Sequence, residues 1–447
     1  MQKYDPETGA ITDFPHQNVT VDGKNAAQMT ITLPPVGSLL LVLSRGKTPA
    51  PNLDVPTFIE KTLEPDSAPI EIERLDPNVH VLDYCSLQIG GQTLDEDYFY
   101  RIDRELWRHF GFSQNPWRHI PQTGHEIIDR TFEPGKGFTV TYRFQIDEAY
   151  FILPTLHFFR SVPRLPSENG GVYDRTTEKL KWNRYNGEKR PFYAVVERPE
   201  QYTIRCNGQI LTATNDWWFE KSAKKVNITE AIRPGENELS LTLDTMNVFC
   251  DIVPLYLLGD FDVTPAESGF RVVKEREKTI DENAADENVS FQTRWWNQMG
   301  LAFYNGRVAY RRTFHAKIEP GARYFVDLGP IGNLGQDADA RWNAAAAHVF
   351  VNGHDAGTVM YELCRVDATP YLTDGANEIE VVLTGSVRNL YGPHYAGKYY
   401  IHRGYYGDFE QAPAKRPAGT EYDLIPYGLT EPFRLVEVTP VPTELFR

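Results

Sequence analysis

The chain contains the stretch Tyr202-Thr-Ile-Arg-Cys-Asn207-Gly208, which is followed by Val226-Asn-Ile-Thr229 and then by Pro234-Gly235-Glu-Asn237-Glu-Leu-Ser-Leu-Thr-Leu243. The same pattern occurs again as His348-Val-Phe-Val-Asn352-Gly353, Val366-Asp-Ala-Thr369 and Asp374-Gly375-Ala-Asn377-Glu-Ile-Glu-Val-Val-Leu383. Asn-Gly supplies the positive φ angles of a tight hairpin. The alternating apolar residues that follow Gly-x-Asn are typical of a strand with one buried face. We therefore predict two related β-sandwich units, with Asn207-Gly208 and Asn352-Gly353 in equivalent hairpins.

The repeated pattern resembles the galactose-binding-like jelly rolls of large bacterial glycoside hydrolases of the family-two-like and α-L-rhamnosidase type. The flanking pieces Phe192-Tyr-Ala-Val-Val-Glu197, Tyr256-Leu-Leu-Gly-Asp260 and Arg388-Asn-Leu-Tyr-Gly392-Pro393-His394 extend the resemblance. The N-terminal pieces Tyr4-Asp-Pro-Glu-Thr-Gly9 and Leu33-Pro-Pro-Val-Gly-Ser38 look like the segment that follows the catalytic barrel in those enzymes. The resemblance implies an architecture rather than an activity, because one fold hosts many functions.

Composition favours a mostly β protein that binds neither nucleic acid nor anionic membranes. The 447 residues include 31 prolines and 33 glycines, which divide the chain into short segments. The net charge of −15 opposes binding to phosphate backbones. The four cysteines lie far apart, so neither a zinc site nor a disulfide framework is predicted, and Cys85 and Cys206 read as buried thiols. We expect no cofactor, with a structural calcium ion as an alternative.

Three regions are predicted: a small N-terminal β segment (1–75), a first jelly roll (76–273) and a second galactose-binding-like jelly roll (289–447). In the first region, the apolar run Ser38-Leu-Leu-Leu-Val-Leu43 predicts a strand that is buried on both faces. The acidic stretch from Lys274 to Asn288 predicts a protease-sensitive linker. The segment from Tyr391 to Tyr427, rich in Tyr, Gly and Pro, predicts a long surface loop.

One short helical insertion is predicted near 95–110 in the first jelly roll. Thr93 and Glu96 have the spacing of a capping box, and Phe99, Ile102, Leu106 and Phe110 repeat at helical spacing. We therefore expect a helix from Asp95 to Phe110.

Candidate ligand-binding residues come from concentrations of aromatic side chains, which stack on sugar rings. One concentration is Asn215-Asp-Trp217-Trp218-Phe219, and another contains Trp295 and Trp296. Adjacent tryptophans on a strand point to opposite faces, so at most one of each pair is free to stack. The densest concentration follows Asn389. The residues predicted to bind ligand are Trp295, Trp296, Tyr391, His394, Tyr405, Tyr406 and Asp408.

The leading functional prediction is a carbohydrate-binding, accessory region of a glycoside-hydrolase-like protein acting on polysaccharide. Its partners would be a polysaccharide or oligosaccharide and a catalytic domain outside this chain. One alternative is an autonomous glycoside hydrolase or polysaccharide lyase with acidic residues on loops between modules, and another is a scaffold without ligand. No catalytic residue is predicted, because the carboxylates that the resembled enzymes use lie in a barrel with no counterpart here.

Glu197 is interpreted as a charge-paired structural carboxylate, with a calcium ligand as the alternative. The start of the chain shows no signal peptide, so we expect a cytoplasmic protein or a piece of a secreted or periplasmic one.

Overall fold

The computed structural model describes residues 1–4, 11–31, 38–43, 58–66, 70–118, 125–151, 190–276, 279–280, 295–332, 341–360, 364–395 and 406–440. This part of the chain is mostly β and consists of antiparallel sheets with few helices. None of its helices is both long and apolar enough to cross a membrane. Of the predicted linker, only Lys274, Glu275, Arg276, Thr279 and Ile280 lie within these ranges.

The first strands in chain order are β1 (Gln2–Tyr4), β2 (Ile11–Asp13), β3 (Gln17–Val21), β4 (Lys24–Gln28), β5 (Leu40–Val42), β6 (Phe58–Leu63), β7 (Ile70–Arg74), β8 (Asn78–Leu82), β9 (Tyr84–Ile89), β10 (Gln92–Tyr98), β11 (Phe138–Ile146), β12 (Phe192–Glu197), β13 (Thr203–Cys206), β14 (Gln209–Leu211) and β15 (Ala213–Trp218). They continue with β16 (Glu220–Asn227), β17 (Gly235–Leu243), β18 (Leu255–Gly259), β19 (Asp262–Pro265), β20 (Phe270–Val273), β21 (Thr279–Ile280), β22 (Arg307–Ala316), β23 (Arg323–Asp327), β24 (Trp342–Asn343), β25 (Ala346–Val351), β26 (His354–Val359), β27 (Arg365–Asp367), β28 (Gly375–Thr384), β29 (Gly428–Leu429) and β30 (Arg434–Pro440). The helices are α1 (Phe99–His109), α2 (His125–Ile128) and α3 (Arg388–Tyr391).

The chain divides into two compact units. The larger unit contains Glu71–Ala309 and Thr384–Leu429. The smaller unit contains Met1–Ile70, Tyr310–Leu383 and Thr430–Arg447. Each unit is therefore built from separate stretches of chain, and the smaller one is interrupted by most of the larger.

The larger unit is a sandwich of two sheets. One sheet has the order β10-β9-β11-β17-β13-β14, with β20 added in parallel to β11 and β19 paired to β20. The other has the order β15-β16-β12-β18-β8. Apolar residues of both sheets, such as Val140 and Leu241 from the first and Val79 and Ala194 from the second, are buried in one continuous core. This burial explains why alternate positions of these strands are apolar.

The smaller unit repeats the central part of this topology. Its strands β22-β28-β25-β26 correspond to β11-β17-β13-β14, and β27-β23-β30-β6 correspond to β16-β12-β18-β8. Along the chain, β9, β10, α1 and α2 lie between β8 and β11 of the larger unit, whereas residues 64–306 lie between β6 and β22 of the smaller unit.

The two hairpins confirm the predicted duplication at the level of single bonds. Asn207 and Asn352 have φ angles of 49° and 51°, followed by Gly208 and Gly353 at 84° and 80°. The Asn207 side-chain amide donates to Asn237 Oδ1 at 2.8 Å, and Asn352 donates to Asn377 Oδ1 at the same distance.

The threonine that ends each Val-x-x-Thr segment also has the same partner in both units. Thr229 Oγ1 accepts a hydrogen bond from the Phe192 backbone amide at 2.9 Å, and Thr369 Oγ1 accepts one from Tyr324 at 2.8 Å. Asn237 and Asn377 are both fully buried. The repeated polar residues therefore hold a turn and a strand start in place, a structural role that accounts for their recurrence.

The predicted helix begins later than expected. Thr93 pairs with Gln88 in the β10–β9 ladder, and Glu96 accepts a hydrogen bond from Arg416 at 2.8 Å, so neither caps a helix. Helix α1 starts at Phe99 after Tyr98, which makes no side-chain capping bond. The helical spacing correctly predicts the buried face of α1, because Phe99, Ile102 and Leu106 are buried in the core.

Two predictions about exposure are wrong. Strand β5 pairs with β1 in a small sheet, and Leu40 and Leu43 are 55% and 67% exposed rather than buried on both faces. The described part of the segment after Tyr391 is not a surface loop throughout, because His394, Tyr422, Ile425 and Tyr427 are buried. Tyr422 is part of the hydrophobic core of the sandwich that is formed earlier in the chain.

Candidate functional site

Four aromatic side chains of the larger unit form a connected cluster at its surface, here called the aromatic platform: Trp218, Phe219, Tyr256 and Tyr391. Trp218 lies 5.7 Å from Phe219 and 5.5 Å from Tyr256, measured between ring centroids. Tyr391 meets Phe219 edge to face at 5.6 Å and Tyr256 at 6.3 Å. Phe219 and Tyr391 are 48% and 41% exposed, while Trp218 and Tyr256 are half-buried beneath them. The rings of Phe219 and Tyr391 are thus exposed to solvent and pack against those of Trp218 and Tyr256.

The position of Phe219 follows from a sharp hairpin. Strands β15 and β16 are separated by Phe219 alone, and Trp218 pairs with Glu220 across the turn. Phe219 has a φ of 72°, a left-handed conformation that costs a residue with a Cβ about 1–2 kcal/mol. Backbone strain of this kind in a bulky residue concentrates at functional sites.

Tyr391 is positioned by the buried residues around it at the end of helix α3. The Asn389 side chain donates to the Ile425 carbonyl and accepts from the Ile425 amide, both at 2.8 Å. A ring nitrogen of buried His394 lies 2.9 Å from the Asn389 carbonyl oxygen. These contacts fix the helix end, so that Tyr391 projects towards Phe219 while its neighbours are in the core.

A shallow depression in the same unit contains two carboxyl groups. Glu197 and Asp251 line it together with Tyr202 and Phe249, and its empty volume, which is open to solvent, is about 360 Å³. Burial raises the pKa of Glu197, the charges of Asp251 and Glu220 raise it further, and Arg198 at 3.9 Å opposes the rise. Glu197 therefore holds a proton more readily than an exposed glutamate does.

Asp251 belongs to a pair of carboxyl groups. The Asp251 residue reaches the surface, but its carboxyl group turns inward, where Asn115 donates to Asp251 Oδ1 at 3.1 Å and to Asp103 Oδ1 at 3.4 Å. Burial raises the pKa of Asp251 well above its usual range, and Asp103 raises it further. Fully buried Asp103 is paired with Arg118 at 2.7 Å. Burial raises the pKa of Asp103 as well, so both carboxyl groups of the pair hold a proton more readily than exposed aspartates do.

The carboxylates and the aromatic platform share one electrostatic environment. Burial raises the pKa of Tyr391, and the negative charges of Glu220 and Glu197 raise it further. Glu197 also lines the depression with Asp251. The arrangement therefore combines exposed aromatic rings with hydrogen-bond acceptors. Among the described residues, no cluster of His, Cys, Asp and Glu could hold a metal ion.

The structure distributes the predicted ligand-binding residues over several environments. Trp296, His394 and Asp408 are buried and Trp295 is half-buried. Tyr391 alone of the described side chains in that set joins the platform. Tyr405 lies outside the described residues, as does the side chain of Tyr406.

The expectation for adjacent tryptophans is confirmed, since Trp217 is 49% exposed and Trp218 packs against the core. Phe219 lies in a stretch that the sequence singled out, but Tyr256, Glu197 and Asp251 were not predicted to bind ligand. Their spacing along the chain gives no signal, because they meet only when the strands pair.

Comparisons with known proteins give only distant similarity. No family model and no curated protein matches the chain. Similar solved structures include a rhamnosidase from Novosphingobium sp. PP1Y, which is 16% identical over 68% of this chain and 23% of its own, with a TM-score of 0.21. A β-glucuronidase from Bifidobacterium dentium is 14% identical over 40% of this chain and 29% of its own, also with a TM-score of 0.21. A β-D-mannosidase from Dictyoglomus thermophilum is 10% identical over 69% of this chain and 31% of its own, with a TM-score of 0.22. The chain thus spans less than a third of each of these glycoside hydrolases.

Proposed function

We propose that this chain binds carbohydrate at the aromatic platform, as an accessory region of a glycoside-hydrolase-like protein that acts on polysaccharide. The observation that carries the proposal is the pair of exposed, edge-to-face rings of Phe219 and Tyr391. Exposed aromatic rings stack on the apolar C–H faces of sugars. The neighbouring carboxylates of Glu197 and Glu220 can accept hydrogen bonds from sugar hydroxyl groups.

The strain at Phe219 supports a ligand-binding role over simple packing. A ring that served only the core would be expected to lie inside it, whereas Phe219 is 48% exposed and adopts a costly φ. Part of its cost is recovered by contacts with Trp218 and Tyr391, which also fix its orientation. A ring held rigidly before the ligand arrives loses little entropy on binding.

Affinity electrophoresis against pectic, xylan and mannan polymers tests the proposal. Replacing Phe219 or Tyr391 by Ala should weaken binding by about 1–3 kcal/mol, which is the contribution of one ring contact. Phe58, which is 53% exposed on β6 of the smaller unit, provides the matched control, and Phe58→Ala should bind as the unchanged protein does. Retention of full binding by both platform variants would refute the proposal.

A second candidate function is glycoside hydrolysis at the depression. The specific observation in its favour is that Glu197 and Asp251 line one depression and that both have a raised pKa, as a general acid requires. Reducing-sugar release from the same polymers, measured with the unchanged protein and with Glu197→Gln, separates the two functions. Hydrolysis that disappears in Glu197→Gln while binding persists would establish the enzyme.

A further inference from the structure

Two carboxyl groups, those of Glu197 and Glu220, lie beside the aromatic platform. Glu220 follows Phe219 and pairs with Trp218 in the β15–β16 ladder, and Glu197 lies two residues along β12 from Val195, which pairs with Tyr256. The platform is therefore bordered by carboxyl groups on the side of the depression.

Several basic residues lie near these carboxyl groups, including the exposed Lys221, which directly follows Glu220. Arg118 pairs with buried Asp103 at 2.7 Å and stacks over the ring of Tyr100. Arg198 lies 3.9 Å from Glu197 but donates a hydrogen bond to the Phe249 carbonyl. Lys224 lies opposite Trp217, the tryptophan outside the platform.

Aromatic faces and carboxylates attract the same kind of group. The face of an aromatic ring is negative and attracts ammonium groups. Carboxylates beside the ring add a Coulomb attraction, while they repel an acidic sugar. The net charge of −15 likewise attracts cationic ligands and repels anionic ones as they approach the protein.

We propose that the platform selects amino sugars that carry a free ammonium group, held between the rings of Phe219 and Tyr391 and the carboxylates of Glu197 and Glu220. This inference rests on the proposed carbohydrate binding and specifies its ligand class. Neutral sugars bind to the same rings more weakly, and uronic acids bind least.

Titration calorimetry with three oligosaccharides of equal length tests this selectivity: a glucosamine oligosaccharide, its fully N-acetylated counterpart and an oligogalacturonide. They are compared at the highest pH at which the amine is still protonated, because the raised pKa of Glu197 would remove its charge in more acidic solution. The glucosamine oligosaccharide should bind best, and the double variant Glu197→Gln, Glu220→Gln should lower its affinity by about two- to fivefold per carboxylate. The affinity for the N-acetylated sugar should change little, and added salt should reduce the difference between the two sugars.

The matched control is Glu238→Gln, which removes an exposed carboxylate of the same unit that pairs with Arg143. It should leave all three affinities unchanged. Equal or tighter binding of the N-acetylated sugar, or a preference that survives in the double variant, would overturn the selectivity while leaving the carbohydrate site intact. Absence of Phe219-dependent binding of all three sugars would overturn both proposals.

Discussion

The rings of Phe219 and Tyr391 meet edge to face at 5.6 Å, although one residue lies in a hairpin turn and the other ends a short helix in a distant part of the chain. Such a pair contributes about 0.5–1.5 kcal/mol beyond the area that it buries. We expect a double-mutant cycle of Phe219→Ala and Tyr391→Ala to show a coupling energy of this size in urea unfolding. Additive losses would mean that the two rings are independent.

The left-handed backbone at Phe219 predicts an unusual order of variants. Glycine adopts a φ of 72° without steric cost, whereas alanine does not. Phe219→Gly should therefore be more stable than Phe219→Ala by about 1 kcal/mol, although both lose the ring. Gly–Ala replacements at an ordinary strand position give the opposite order. Thermal unfolding of the two variants measures the difference.

The duplicated hydrogen bonds predict equal costs at equivalent positions. Asn237 and Asn377 are buried. Asn237 accepts a hydrogen bond from the side-chain amide of Asn207, and Asn377 accepts one from that of Asn352, both at 2.8 Å. Replacing either one by Ala should cost about 2–4 kcal/mol, because several buried polar partners lose their bonds. Urea unfolding of the two variants gives the comparison. A cost below about 1 kcal/mol at one position would show that its turn is held by other contacts.

Acid should destabilise the larger unit through His80. Burial lowers the pKa of His80 to about 3, and the charge of Arg416 acts in the same direction. Between this pKa and the unfolded value of about 6.5, the unfolded chain binds more protons than the folded one, so stability is lost as the pH falls through this window. The loss amounts to at most about 5 kcal/mol. His80→Asn, which cannot titrate there, should flatten the acid limb of a stability–pH curve; an unchanged slope would exclude His80 as its origin.

Asp251 should lower the stability of the folded protein as the pH rises, whereas His80 lowers it as the pH falls. Because burial and Asp103 raise the pKa of Asp251, its contribution is present below the unfolded pKa and lost as the pH rises through the raised value. Asp251→Asn should therefore gain stability relative to the unchanged protein as the pH increases. Urea unfolding across this pH range provides the test, and a constant difference between the two proteins would contradict it.

The companion variant Asp103→Asn should behave differently, because it leaves Arg118 in a buried position without its charge partner at 2.7 Å. Asp103→Asn should lower the free energy of unfolding by about 3 kcal/mol or more at every pH at which an exposed aspartate is ionised.

The duplicated turns were predictable because their geometry is encoded locally. Asn-Gly sets the hairpin, and the alternation after Asn237 and Asn377 defines the buried strand face, so a few adjacent residues suffice. The start of α1 was not predictable in this way. Thr93 and Glu96 have the spacing of a capping box, but ladder pairing with Gln88 overrides that local preference.

The candidate site was predictable only in part. The aromatic stretch at Trp217-Trp218-Phe219 and the ring of Tyr391 are visible in the sequence, because exposed aromatic residues near turns are conspicuous. Their meeting with Tyr256 and Glu197 depends on strand pairing between distant segments, for which no local residue pattern exists. His394 shows the converse, since a histidine in a Tyr- and Gly-rich stretch suggests a ligand site but is 1% exposed.

The pairing of β6 with β30 has a consequence for biosynthesis. Phe58–Leu63 is synthesised long before its partner Arg434–Pro440. The strands of the larger unit's sandwich, from β8 to β20, are complete by Val273. Since domains fold as units during synthesis, the unit that carries the aromatic platform can assemble its sheets first. The early strand Phe58–Leu63 must wait, unpaired, until Arg434–Pro440 has been synthesised, and during that interval it is exposed to mispairing with another nascent chain.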